Sequence, residues 1–84
     1  MTPQGSRRLG DPEPAKVAAD ERGVPVALGP AQVDSIREEW VVEDRWWTGR
    51  PLRRRYFDLV TADGVNRVVF CDLMSGRWFG QKGA

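Results

Sequence analysis

The dipeptide Asp63-Gly64 limits what this chain can fold into more than any other feature. It stands between two runs rich in β-branched and aromatic residues, Arg53–Thr61 and Asn66–Asp72. Glycine reaches the positive φ that tight hairpin turns need, so the pattern predicts two antiparallel strands joined at that point. A further strand is expected over Ser35–Val42, whose end carries Trp40, Val41 and Val42. A short one at Arg77–Phe79 follows a turn at Leu73–Gly76. No repeat at helical spacing competes across 53–79, and Tyr56–Phe70 is expected to hold no helix. The expected class is all-β: a small antiparallel meander or partial barrel of three to five strands with a disordered N-terminal tail.

Side chains alternate between the two faces of a strand. Phe57 and Leu59 then share one face of the run Arg53–Thr61, and Tyr56 and Val60 the other. In the run Asn66–Asp72, Val69 and Cys71 oppose Val68 and Phe70. Apolar groups therefore occupy both faces. Either both are covered, as in a curled barrel, or one presents aromatics to a partner. A small domain has little material to cover a second face, which favours a partial barrel with one open aromatic edge. Trp78, beside Phe79 and just after Gly76, is expected to be buried and central to stability.

The first thirty residues differ from the rest. They hold five of the six prolines, four of the nine glycines and none of the eight aromatics. A stretch of that kind buries too little apolar surface to offset its ordering entropy. Met1–Arg22 is thus expected to be a disordered tail that adds little stability, the tail covering 1–23 and the domain 24–84. The apolar piece Val24–Leu28 is expected to dock as an edge segment. A short helix over Pro14–Arg22 is the competing reading, because Ala15–Ala19 favours helix.

Composition removes several function classes. Histidine is absent and Cys71 is the one cysteine, so Cys/His zinc sites, Ser–His or Cys–His nucleophile pairs and internal disulfides are excluded by count. Cys71 reads as a buried structural thiol. In 84 residues a roomy enzymatic pocket is not expected either. The composition fits a non-enzyme without cofactor or metal. No run reaches the roughly 18 apolar residues of a membrane span, and no apolar run follows Arg7-Arg8 as in a secretory signal. The expected location is the cytoplasm, with no membrane partner.

Charge is balanced overall, 13 Lys+Arg against 12 Asp+Glu, but not locally. Asp34, Glu38, Glu39, Glu43 and Asp44 lie in one segment with only Arg37 among them. Arg45, Arg50, Arg53, Arg54 and Arg55 follow with no acid between them, and Trp46-Trp47 sits inside this basic run. The plain reading is that the two segments lie on neighbouring strands and pair as rim salt bridges. That cannot absorb every arginine, because Arg53 and Arg55 face opposite to Arg54. Arginines interleaved with aromatics also suit single-stranded nucleic acid, where cations follow phosphates and rings stack on bases. Equally, such residues anchor protein interfaces. Of two adjacent tryptophans, at most one is core, leaving one of Trp46 and Trp47 exposed. The candidate contact surface is Arg45, Trp46, Trp47, Arg50, Arg53, Arg54, Arg55 and Tyr56, continuing to Phe57 with Trp78.

One resemblance spans Gly29–Phe79. The series Gly29-Pro30, Val33, Ile36, Trp40, then Trp46-Trp47, Arg53-Arg54-Arg55-Tyr56-Phe57, an Asp-Gly turn, Val69-Phe70-Cys71-Asp72 and Gly76-Arg77-Trp78-Phe79 resembles the small C-terminal domain of ImuB-like proteins. These are catalytically inactive relatives of Y-family DNA polymerases from bacterial damage-induced mutagenesis cassettes. The series is also similar to short stand-alone bacterial proteins of unknown function made of this domain. Where the family carries an acid within RRDYY, this chain has Arg55, and none of the 84 residues resembles the polymerase-like body. No catalytic residue is carried over. The resemblance implies an accessory or adaptor in DNA repair and translesion synthesis after DNA damage, contacting a protein of the replication and repair machinery. Direct single-stranded DNA or RNA binding, or a structural homo-oligomer built by strand-edge pairing, are the alternatives.

Overall fold

The computed structural model of the chain describes residues 12–44 and 52–81. Its strands are β1 (Glu13–Pro14), β2 (Val17–Ala19), β3 (Pro25–Leu28), β4 (Ala31–Asp44), β5 (Leu52–Thr61), β6 (Asn66–Asp72) and β7 (Arg77–Gln81). All neighbours are antiparallel, in the order β1-β7-β6-β5-β4-β3-β2, and no helix occurs among the described residues. The all-β class holds, and the strand count rises from three to five to seven. The curled sheet is a half-barrel.

The Asp63-Gly64 turn is where the sequence places it. Gly64 has φ +85°, and the pairs run outward from it, Val60 opposite Asn66 through to Arg54 opposite Asp72. The Thr61 hydroxyl donates to the Asp63 carboxylate, which also accepts from the Val65 N–H. These bonds, the Thr61 hydroxyl's first, hold the Asp63 carboxyl below its ordinary value of 3.8. Asp20 does the same for the β2–β3 turn, accepting from the Val24 and Arg22 N–H groups, and its carboxyl is likewise lowered. A carboxyl lowered in the folded state adds stability above its unfolded pKa and loses it as pH falls through the folded one. Acid unfolding below about pH 3.8 is therefore expected to flatten in Asp63→Asn and Asp20→Asn, checked by unfolding midpoint against pH.

β1 and β2 sit at opposite ends of the sheet order, yet only Ala15-Lys16 separates them in the chain. Glu13 and Pro14 pair with Gly80 and Phe79 of β7, and the Ala15 N–H donates to the Trp78 carbonyl at 3.1 Å. Two residues later the same segment serves the other margin. The Gly29 N–H donates to the Lys16 carbonyl at 2.7 Å, and Val17 and Ala18 pair with Leu28 and Ala27. One segment thus hands its main-chain bonding from one margin to the other and straps the half-barrel.

This corrects the disordered-tail reading for residues 12–23, and the helical alternative with it. The domain begins by Glu13 instead of residue 24. The segment lacks apolar side chains, but a sheet margin offers unpaired N–H and C=O groups, and pairing with them needs none. Residues 1–11 lie outside the described part. β3, expected at an edge, lies between β2 and β4.

The inner face is the one that the β2–β3 hairpin covers. Phe57, Leu59 and Val69 are buried there, with Val24, Leu28, Val33, Ile36 and Trp78 packed against them. Thr61 is also buried. Trp78 is a second correction: it is half-buried and leans on Phe57 at 5.8 Å between ring centroids. Its strand is next to the strap rather than in the middle of the sheet, so only one side of the indole meets the core. Two bulges, at Asp34 and Arg37, bend β4 just beyond its pairing with β3.

Candidate functional site

The register brings four aromatic residues into line on the face opposite the core. Trp40 pairs with Tyr56, Tyr56 with Phe70, and Phe70 with Phe79, across β4, β5, β6 and β7. Trp40 and Tyr56 stack at 5.2 Å with planes 5° apart. Tyr56 and Phe70 follow at 4.9 Å, then Phe70 and Phe79 at 5.3 Å. Such cross-strand aromatic pairs each add roughly 0.5–1.5 kcal/mol beyond their burial.

Arg54 closes over the middle of this row. Its guanidinium carbon lies 4.4 Å from the centroid of the Phe70 ring, and its Nη1 donates to the Tyr56 hydroxyl at 3.1 Å. Phe70, on the outer face, is consequently only 1% exposed. The row ends in the open at Trp40, 39% exposed. Apolar groups on both faces were anticipated. The outer set covers itself at its centre and stays accessible at one end.

The predicted contact surface does not stay together. Arg54 and Tyr56 belong to the outer row. Arg53 and Arg55 project to the other face and meet the acidic strand, as the plain salt-bridge reading has it: Arg53 Nε donates to Glu43 at 2.9 Å and Arg55 Nε to Glu39 at 2.6 Å. Phe57 is in the core and Trp78 leans on it, so neither is part of an exposed edge. Arg45, Trp46, Trp47 and Arg50 lie outside the described residues. Trp40, Phe70 and Phe79 complete the row and were not among the candidates. Period-two alternation combined with the turn-centred register is the signal that finds them.

Arg55 has a structural task. Besides Glu39, its Nη1 donates to the Arg22 carbonyl at 2.9 Å, and its guanidinium lies 5.0 Å over the Phe57 ring. It ties the β2–β3 turn to the core. Gly23 sits against it with φ +81°, where a Cβ would come within 2.8 Å of Arg55 Nη1. Arg55→Ala is expected to cost about 1–3 kcal/mol, since it strands a carbonyl and uncovers Phe57. The exposed Arg53 pair is worth under about 1 kcal/mol. Denaturant midpoints of the two variants check the difference.

Cys71 is half-buried, and burial, with Asp72 beside it, pushes its thiol up. This suits a structural thiol rather than a nucleophile. Among the described residues no group of three or more Cys, Asp or Glu side chains is placed to hold a metal ion. Nor is any helix there long and apolar enough to cross a membrane.

No protein-family model, curated protein or solved structure matches the chain.

Proposed function

We propose that the protein is a non-enzymatic binding module that contacts another protein through the open end of the outer row, Trp40 with Tyr56 and Arg54. The observation that carries this is the stacked, pre-ordered row ending in an accessible tryptophan. Large rigid rings beside an arginine are the residues that dominate interface energetics. Rings already locked by their neighbours lose little freedom on binding.

Two features favour a protein over single-stranded nucleic acid. Tyr56 is stacked by Trp40 on one side and met by the tilted ring of Phe70 on the other, so its ring is already engaged rather than offered to bases. Two of the three arginines in 53–55 are spent on glutamates. The resemblance of Gly29–Phe79 to ImuB-like C-terminal domains supports a role as an accessory adaptor in bacterial DNA repair or translesion synthesis, acting in the cytoplasm.

The test is capture of partners from damaged and undamaged cells by the wild type, Trp40→Ala, Arg54→Ala and Arg53→Ala proteins. The first two variants are expected to lose a damage-associated partner by about tenfold or more, as for residues at an interface hot spot. Arg53→Ala is expected to retain it. Salt-sensitive binding of single-stranded oligonucleotides by the wild type, weakened in Arg54→Ala, would replace this reading with the nucleic-acid one.

A further inference from the structure

Strand β4 has two hydrogen-bonding margins. β5 takes one of them along Val33–Asp44. β3 takes the other only at Ala31 and Gln32, then leaves the sheet as Val24 packs on the core and the turn before it reaches Arg55. Beyond Gln32, no described residue bonds to that second margin. After the bulge at Arg37, the register from Glu38 to Asp44 is unbroken. Alternate N–H and C=O groups over Glu38–Glu43 thus form a regular outward template about as long as an average strand. Natural sheets usually blunt such a margin with bulges or short strands. Here the bulges come earlier and leave the register of this stretch regular.

The side chains of the stretch say what fits it. On the outer face stand Glu38, Trp40 and Val42, and on the inner face Glu39, Val41 and Glu43. Trp40 stacks on Tyr56 with one ring face, which leaves the other toward the free margin. Val41 is 52% exposed. Glu38 makes no ion pair among the described residues. Acids therefore flank an apolar centre, Glu38 and Glu39 on one side of Trp40-Val41-Val42 and Glu43 on the other. A second copy of β4 laid antiparallel would set acids near acids, with Arg37 the single base in Asp34–Asp44, and like charges opposite one another destabilise a sheet.

We infer that this margin receives an extended strand from another protein, one with an apolar centre flanked by basic residues. It would add to β4 by main-chain bonds, set an apolar or arginine side chain on Trp40, and place basic residues beside Glu38, Glu39 and Glu43. The inference rests on the reading of the aromatic row as a protein contact and names the partner's chemistry.

The test uses the whole chain and a synthetic peptide of about ten residues in which an apolar Val-Val-Tyr centre is flanked by lysines, at millimolar concentration. Amide exchange of Glu38–Glu43 is followed by NMR. The peptide is expected to slow exchange at alternate amides there by about tenfold or more. A version N-methylated on the bonding side should not do so, nor should one with Glu for Lys. In Glu38→Lys the preference for the basic peptide over the acidic one should shrink or invert. Slow exchange over Glu38–Glu43 without peptide would overturn the inference, because the margin is then already occupied; sedimentation shows whether a second copy occupies it. Absence of protection at saturating peptide overturns it too. If the captured partner still depends on Trp40 and Arg54 but leaves these amides exchanging freely, strand addition fails while the row remains a contact surface. If the partner ignores both residues, it is the row that fails.

Discussion

Phe57→Ala is expected to leave the chain unfolded at ambient temperature. Phe57 is 0% exposed and stands where the inner face is most crowded, with Leu59 two residues on, Val69 opposite it in register and Trp78 leaning on its ring. Truncating a buried phenylalanine costs about 3–5 kcal/mol, the lost transfer free energy plus the cavity left behind. Single cores of chains only slightly shorter than this one seldom supply more than about 3–5 kcal/mol in total. The loss is therefore of the same size as the whole stability. Arg55 makes it worse, since its guanidinium lies over the ring and would face an empty space. Trp78→Ala, half-buried against the same ring, is expected to fold with a lowered midpoint. Circular dichroism and amide dispersion in NMR spectra distinguish the outcomes. A Phe57→Ala protein with native dispersion would mean that the hairpin and Trp78 collapse onto the gap far better than their positions suggest.

Much of this fold was legible in the order of residues. The strand expected over Asn66–Asp72 coincides with β6, and the one expected over Arg53–Thr61 starts one residue after β5 does. Gly64 does in the structure what a glycine at that point must do. The turn also carries the register, because Tyr56 and Phe70 are equidistant from Asp63 and end up paired. What could not be read was the strap. Glu13–Ala19 contributes main-chain groups to two margins that exist only once the rest of the sheet has formed. Side-chain patterns report burial of side chains, and this segment buries almost none. The same reason displaced the start of the domain from Glu13 to residue 24.

The site was half legible. Alternation alone separated Arg54 from Arg53 and Arg55, and the acidic segment did pair with the latter two. The density of arginines drew the candidate surface along the chain, toward Trp46 and Trp47, whereas the row runs across it. Trp40, Tyr56, Phe70 and Phe79 are sixteen, fourteen and nine residues apart in turn, so no local window contains them. Only the pairing of four strands puts them side by side.

Removing residues 1–19 is expected to destabilise the domain severely, where the sequence by itself suggested no effect. A chain beginning at residue 12 keeps every strap contact and serves as the reference. The longer deletion loses the pairing of Glu13 and Pro14 with β7, the Ala15 bond to Trp78, the Lys16 bond to Gly29 and the whole β2–β3 ladder. Each such bond contributes about 1 kcal/mol net, and the margins of β7 and β3 are left unpaired. A loss of at least about 3 kcal/mol corresponds to a fall in Tm of more than about 12 °C for a domain this size. The open margins should also make the shortened chain associate as its concentration rises, which sedimentation would register. Ala15→Pro separates the strap's role from mere length: it deletes the one N–H that reaches the Trp78 carbonyl while leaving the chain intact. Its midpoint should fall in the same direction by a smaller amount, and Ala15→Gly, which keeps the N–H, should lie closer to the reference. Equal midpoints for the chains starting at 12 and at 20 would show that the half-barrel holds its curl without the strap.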